Sequence, residues 1–293
     1  RRLLPRTVRI CVLHGPMPGT EADFTAHDLL PVLNSLEQVE GFSRHAAAAG
    51  RKLPALLQTD TGMSRFGLAP SELDRLIETD ALANLDIVLH MSHLACADDP
   101  ANPANPAQRA AFEAVRARLP GVPASLSASS GIFLGPDYHF DLVRPGAALY
   151  GIAPQNGAPN PLSPVVRLQG RVIQLRTVAA EAGVGYGHTA HSGAGTRLAT
   201  VGVGYADGFL RSLSNTGAAW HGGVRLPILG RVSMDSIILD ISALPDGTLS
   251  PGDSVDLIGP DQDLDALAAS AGTIGYEILT SLGARYPRRY RGL

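Results

Sequence analysis

Short apolar runs alternate with amphipathic stretches over the first half of the chain. Residues 8–14 (VRICVLH) are apolar and β-branched, and Leu29–Leu33 (LLPVL) repeats that character. Both read as buried strands. A helix is expected over 35–49, opened by an N-cap Ser35 and stopped by Gly50. Residues 55–60 (ALLQTD) and 85–93 (LDIVLHMSH) predict a third and a fourth strand, and 124–129 and 140–144 a fifth and a sixth. Helices are expected over 70–82 and 107–119, the second after a Pro/Asn-rich loop at 98–106. Strands alternating with helices imply a parallel sheet covered on both faces. At roughly 30 residues per βα repeat, about 155 residues hold five or six units, whereas a closed barrel needs about eight.

After the Pro/Asn-rich linker 153–164 the pattern changes. Residues 165–176 (VVRLQGRVIQLR) alternate with period two, as a half-exposed strand does. Further strands are expected at 198–203, 224–229, 232–241 and Ser254–Ile258, separated by Gly, Pro and Asp turns. Helices at Leu264–Ala271 and 276–282 close the chain. The expected fold is therefore α/β plus β: an incomplete (β/α)8 TIM-like barrel of about six of eight units over 1–160, then a mainly-β C-terminal domain over 161–293.

Composition narrows the class. The chain has 293 residues, 45% of them hydrophobic and 17% charged, so it can bury a core. Its net charge of −3, without a basic block, argues against nucleic acid or an anionic membrane as partner. No apolar run reaches membrane-span length. Cys11 and Cys96 read as free, buried thiols. The start Arg-Arg-Leu-Leu has neither an initiator Met nor a signal peptide, which suggests a cut through a longer product; a cytoplasmic location is expected by default.

Polar residues gather at the C-terminal ends of the strands, where barrel enzymes build their sites. His14, Gln58, Asp60, His93, Ser129, Ser130 and Arg144 lie there, although Asp60 and Ser129 also suit capping. Downstream, Gly202–Arg211 (GVGYADGFLR) sets Tyr205 on a glycine-bounded turn after a strand. A phenol held in that way stays reachable and suits proton transfer.

Five stretches carry a resemblance. They are DTGMSRFG at 60–67, VRPGAALYG at 143–151, GVGYADGFLR, GRVSMD at 230–235 and TIGYE at 273–277. In this order the chain resembles alanine racemase, a pyridoxal 5′-phosphate (PLP) enzyme. PLP needs a lysine to join its aldehyde, donors for its phosphate, a partner for its pyridine nitrogen, and an acid/base near Cα. The resemblance assigns the phosphate to Ser129, Ser130, Tyr276 and the backbone of Gly146 and Ala147. It sets Arg144 against the pyridine nitrogen and makes Tyr205 one of two bases. His93 and Arg65 surround that tyrosine and link back to Arg144. Arg65 and the Met234 backbone N–H meet the substrate carboxylate. Where relatives place Asn the chain has Ser129, and where many carry a carbamylated lysine it has Gln58, expected to accept a bond from Arg65. The resemblance further implies L- and D-alanine as substrates, D-alanine supply for peptidoglycan, no metal, and a homodimer sharing its active sites.

The chain has one lysine, Lys52, at the wrong end of its strand for chemistry. In the resembling family the cofactor lysine sits on the first barrel strand, so the 293 residues are expected to be inactive as given. The alternatives are a racemase of serine or other amino acids, and a non-catalytic PLP-binding or interaction protein. A fold-sharing decarboxylase fits less well, because residues 230–236 lack the cysteine those enzymes use.

Overall fold

The computed structural model describes residues 3–291. The chain forms two compact units. The first comprises Arg1–Gly146 with Pro154–Ala158, the second Ala147–Ala153 with Pro159–Leu293.

In the first unit five parallel strands stand side by side in chain order: β1 (Ile10–Val12), β2 (Leu29–Leu33), β3 (Leu53–Gln58), β4 (Leu85–Met91) and β5 (Ala124–Ser125). Helices α1 (Glu21–Ala26), α2 (Leu36–Ala48), α3 (Pro70–Glu78) and α4 (Ala104–Arg116) connect them. Side chains on β3 divide by parity. Leu53, Ala55 and Leu57 join Val39, Phe42, Leu73 and Leu76 of α2 and α3 in one core. Leu56 packs on the opposite face with Val32, Leu89 and Met91. Both faces are thus buried, which is why β3 reads as an apolar run rather than an alternation. Helix α2 begins as expected, with Ser35 Oγ accepting from the Gln38 N–H at 3.3 Å.

The expected sixth strand does not form. Phe140 has a left-handed φ of 52°, and Pro145 brings no N–H for a ladder. Only a single bridge, Ala128 to Arg144, remains there. The parallel sheet therefore has five strands, not six. The sequence also gave no sign of α1, whose 6 residues are too few for a helical period; its Phe24 is buried edge-on against Phe42 at 6.4 Å. Cys11 is exposed and Cys96 half-buried, so neither is the buried thiol expected. Lys52 is exposed just before β3.

The second unit is built on a six-stranded antiparallel sheet. Its strands are β6 (Leu168–Thr177), β9 (Arg197–Val201), β10 (Ala218–His221), β11 (Val224–Pro227), β12 (Ile237–Asp240) and β13 (Ser254–Ile258). They run in the order β11-β10-β13-β6-β9-β12. A separate hairpin pairs β7 (Ala182–Val184) with β8 (Ala190–Ser192). Inward residues Val172, Val201, Leu226, Leu239 and Leu257 pack against Leu267 of α6 (Leu264–Ala271) and Ile278 of α7 (Gly275–Ser281). Strands β7, β8 and β10 were not legible in the sequence. Strand β12 starts later than expected, at Ile237, because the chain turns over 233–236, where the Ser233 N–H donates to the Ser236 carbonyl at 3.0 Å. Helix α6 has the expected bounds: Asp263 caps it through the Ala266 N–H at 2.8 Å, and Gly272 ends it in a left-handed conformation. Among the described residues no helix is long and apolar enough to cross a membrane, and no group of His, Cys, Asp or Glu could hold a metal ion.

Candidate active site

The expected site residues divide between the two units. In the first they cluster where β3, β4 and β5 end. The chain leaves β3 at Gln58 and returns at Leu68, whose N–H donates to the Gln58 carbonyl at 2.9 Å. Asp60 organises the loop between. Its carboxylate accepts from the N–H groups of Gly62 and Met63, each at 2.9 Å, and of Ser64 at 3.0 Å. Partial burial works against the charged carboxyl, yet these three bonds outweigh it and hold its pKa below the ordinary value. Asp60 is thus a loop cap, not an acid/base. Gly67, at φ 110°, closes the loop so tightly that a Cβ there would strike the Thr59–Asp60 backbone.

This loop presents Arg65 to solvent, stacked over the Phe66 ring at 5.8 Å. Among the described residues its guanidinium makes no hydrogen bond or ion pair. The expected bond to Gln58 is not formed: the Gln58 Nε2–H donates instead to the Phe66 carbonyl at 3.3 Å. A carbonyl acceptor within the same turn satisfies the amide without drawing Arg65 inward. Arg65 lines a cavity of about 430 Å³ with His14, Asn34, Gln38, Asp60 and Phe66.

Arg144 is the most constrained of the candidates. Its Nη1–H donates to Ser125 Oγ at 2.5 Å. Its Nη2 reaches the carbonyls of Ser92 at 2.7 Å and Leu126 at 3.1 Å, and His93 Nδ1 at 3.3 Å. Every one of these acceptors is neutral. Burial lowers the guanidinium pKa to about 10, so it remains a cation at neutral pH. Burial, then the positive charges of Arg144 and Arg65, push His93 down to about 4. A neutral His93 can accept through Nδ1, which leaves its ring proton on Nε2. Ser92 Oγ also bonds Thr61 Oγ1 at 2.7 Å, tying the Arg65 loop to the backbone that holds Arg144.

Ser129 opens the short helix α5 (Ser129–Ile132), with Ala128 as its N-cap. Ser129 Oγ accepts from the Gly146 N–H at 3.0 Å. Ser129 is therefore not a helix cap, and the Gly146 N–H expected to face a phosphate is engaged within the protein. Ser130, one residue on, is half-buried.

In the second unit Tyr205 and Met234 are brought together. Tyr205 begins a short 3-10 turn, Tyr205–Asp207, between Gly204 and Gly208. Its N–H donates to the Ser233 carbonyl at 3.0 Å, and the Ala206 N–H to that of Met234 at 2.9 Å. Both glycines are required. A Cβ on Gly204 would overlap the Ser233 and Met234 carbonyls, and one on Gly208 the Ser281 carbonyl. The backbone of Tyr205 is thereby locked while its side chain stays 43% exposed. Tyr276 lies on α7, also exposed, and Ala147 opens the 3-10 turn Ala147–Tyr150. Two polar residues of this region were missed in the sequence: Asp207, whose carboxylate accepts the Gly204 N–H at 2.8 Å, and Arg285, which bridges Asp207 and Asp235. The glycine turn could have pointed to Asp207; nothing local pointed to Arg285.

Residues 1–154 match the family described as "Alanine racemase, N-terminal domain", and residues 165–290 that described as "Alanine racemase, C-terminal domain". The chain belongs to the alanine racemase family. A catabolic alanine racemase of Mesorhizobium japonicum is 57% identical over 284 residues, covering 97% of this chain and 74% of that relative. An alanine racemase of Rhodospirillum rubrum is 52% identical over 292 residues, covering 99% of this chain and 78% of the relative. Among solved structures, the Bartonella henselae alanine racemase with covalently bound pyridoxal phosphate superposes with a TM-score of 0.93 at 42% identity, over 99% of this chain and 80% of that one. The biosynthetic alanine racemase of Pseudomonas aeruginosa gives 0.89 at 34% identity, over 99% of this chain and 81% of that one. These family members share the pairing of a parallel α/β unit with an antiparallel β unit.

Proposed function

We propose that this chain is an alanine racemase polypeptide that interconverts L- and D-alanine on pyridoxal 5′-phosphate. The observation that carries this reading is Arg144, a cation fixed by four neutral acceptors with no carboxylate among them. The residues fit the ring and phosphate of the cofactor. The Arg144 bonds leave from Nη1 and Nη2, so Nε–H is left to donate and would be the group that meets a pyridine nitrogen. Arg144 does not release its proton near neutral pH, so that nitrogen gains no positive charge from it. By the resemblance Ser129, Ser130, Ala147 and Tyr276 would hold the phosphate while the Gly146 N–H stays on Ser129 Oγ, and His93 keeps Arg144 in place. Bound PLP withdraws electrons from the amino acid's Cα and so makes its proton removable.

Tyr205 holds and moves the proton at Cα, from a phenol whose backbone cannot shift. Arg65, whose guanidinium has no hydrogen-bond or ion-pair partner among the described residues, and the Met234 N–H hold the substrate carboxylate. This reading includes a homodimer, located in the cytoplasm, and D-alanine consumed in peptidoglycan synthesis. The residues do not fit the aldehyde end: Lys52, exposed before β3, is the one lysine of the 293 residues. We infer that the 293 residues alone take up PLP without a covalent link and turn alanine over poorly.

The test is D-alanine formation from L-alanine with PLP added, on the 293-residue chain and on the chain joined to the lysine-bearing strand that the resemblance implies. The joined form should racemise, and its Tyr205→Phe variant should lose about 10²- to 10⁴-fold in turnover, the usual contribution of a positioned acid/base. In the 293-residue chain, Arg144→Gln should weaken PLP binding, read by cofactor absorbance. Unchanged binding in that variant would overturn the reading.

A further inference from the structure

The Tyr205 and Met234 turns meet along a seam of two backbone bonds, Tyr205 N–H to the Ser233 carbonyl at 3.0 Å and Ala206 N–H to the Met234 carbonyl at 2.9 Å. Each turn also carries a carboxylate. Asp207 lies two residues after Tyr205, and Asp235 directly after Met234. Asp207 is only 8% exposed, and its Oδ2 accepts the Gly204 N–H at 2.8 Å. One side chain reaches both acids. Arg285 Nε lies 3.3 Å from Asp207 Oδ1, and its Nη1 2.8 Å from Asp235 Oδ1. The segment that carries Arg285 is itself sewn to the same turn, since the Gly283 N–H donates to the Asp207 carbonyl at 3.1 Å. Arg288 holds that segment from its far side, its Nη2–H reaching the Gly283 carbonyl at 3.1 Å.

An isolated surface ion pair contributes little. This arrangement differs in two respects. A planar guanidinium fixes the separation and orientation of two acids, which a point charge does not. One of those acids is buried, and without Arg285 its carboxylate would keep only the Gly204 N–H among the described residues.

We propose that Arg285 is a positioning residue that sets the distance between the Tyr205 phenol and the Met234 backbone N–H. Its catalytic consequence rests on the racemase reading above; its structural consequence does not. The strut holds the proton-carrying group in register with the group that holds the substrate carboxylate. Its loss lets the two turns slide along their shared seam while the sheet behind them stays closed.

The structural arm uses amide hydrogen exchange in the 293-residue chain. In Arg285→Ala the Tyr205 and Ala206 amides should exchange about tenfold faster, in keeping with loss of a charge-assisted link. The Leu229 amide, bonded to the Ile238 carbonyl at 2.9 Å, is the control and should not change. Arg285→Lys should fall between the two. Asp235→Asn, at an exposed position, should accelerate the same pair by a smaller factor. Unchanged exchange at the pair, or an equal rise at Leu229, overturns the strut. The catalytic arm uses the lysine-bearing racemase carrying Arg285→Ala. There kcat should fall and KM for alanine rise, each several-fold. The primary isotope effect with α-deuterated alanine should grow for one enantiomer only, because Tyr205 serves one face of Cα. Equal growth for both enantiomers overturns the positioning role. A wild-type enzyme that makes no D-alanine overturns the functional reading and leaves the strut to the exchange result.

Discussion

Replacing Gly208 by alanine should unseat the Tyr205 turn, and the cost follows from two separable features. Gly208 has φ 89°, in the left-handed region, where an L side chain costs about 1 kcal/mol or more. Its Cβ would also overlap the Ser281 carbonyl at the end of α7. That obstacle is helix backbone and cannot swing away, so relief needs a shift of the kind that costs about 1–3 kcal/mol in an overfilled core. The sum is about 3 kcal/mol. Two other glycines isolate the components. Gly222, at φ 59° in the β10–β11 hairpin, has nothing near its Cβ direction, so alanine there should cost about 1 kcal/mol. Gly193 has open space and an ordinary φ, so alanine there should be neutral or stabilising by about 0.5 kcal/mol. Urea unfolding followed by Trp220, the single tryptophan of the chain and a residue of β10, reports on the second unit. With a slope of about 2 kcal/mol per M, Gly208→Ala should lower the midpoint by about 1.5 M. A Gly208→Ala variant no less stable than Gly222→Ala would refute the backbone clash, and with it the account of how Tyr205 is locked.

Three further outcomes are expected. Burial, then Arg116, lowers the pKa of His90 to about 4. Its folded-state pKa lies below the unfolded value of about 6.5, so the unfolded chain binds the extra proton and stability falls as pH drops from about 6.5 to about 4. That window contributes about 3 kcal/mol for this fully buried ring, and a urea midpoint measured against pH should flatten in His90→Phe. Ser125→Ala removes the Nη1 acceptor of Arg144 and should destabilise the first unit by about 1.5–3 kcal/mol while weakening PLP binding; no change in either would show that the 2.5 Å bond is not formed. Gln58→Ala should cost about 1 kcal/mol of stability through the Phe66 contact and raise KM for alanine only a few-fold; a loss of alanine affinity as large as that in Arg65→Ala would restore a direct Gln58–Arg65 bond.

The sequence exposed those elements whose signal is local. Ser35 and Gly50 bounded α2, Asp263 and Gly272 bounded α6, and the buried run before Gln58 marked β3, since a cap or an apolar run is complete within a dozen residues. What it hid depended on partners far along the chain. Residues 140–144 have strand composition, yet the left-handed Phe140 and the missing Pro145 donor decide against a strand. Strands β7, β8 and β10 have only 3 or 4 residues each and exist through their pairing. The site shows the same division. Gly-bounded Tyr205 and the Arg144–His93 pair follow from motifs at strand ends, whereas Ser125 Oγ and the Ser92 and Leu126 carbonyls, the other acceptors of Arg144, carried no signal there. The Gln58 amide turned to Phe66, and Ser129 to Gly146, because nearby backbone groups compete for them. Arg285 stands 78 residues beyond Asp207, a separation across which no local pattern speaks.

The two sheets differ in when they can close during synthesis. Strands β1 to β5 pair only with strands adjacent to them in the chain, so the parallel unit can grow strand by strand as the chain leaves the ribosome. The antiparallel sheet cannot, because its central β6 waits for β13, which is made about eighty residues later. Arg285 emerges later still. Within the 293 residues the tyrosine turn therefore sets after the parallel sheet, and a chain cut short before Arg285 would carry that sheet closed and the phenol unset.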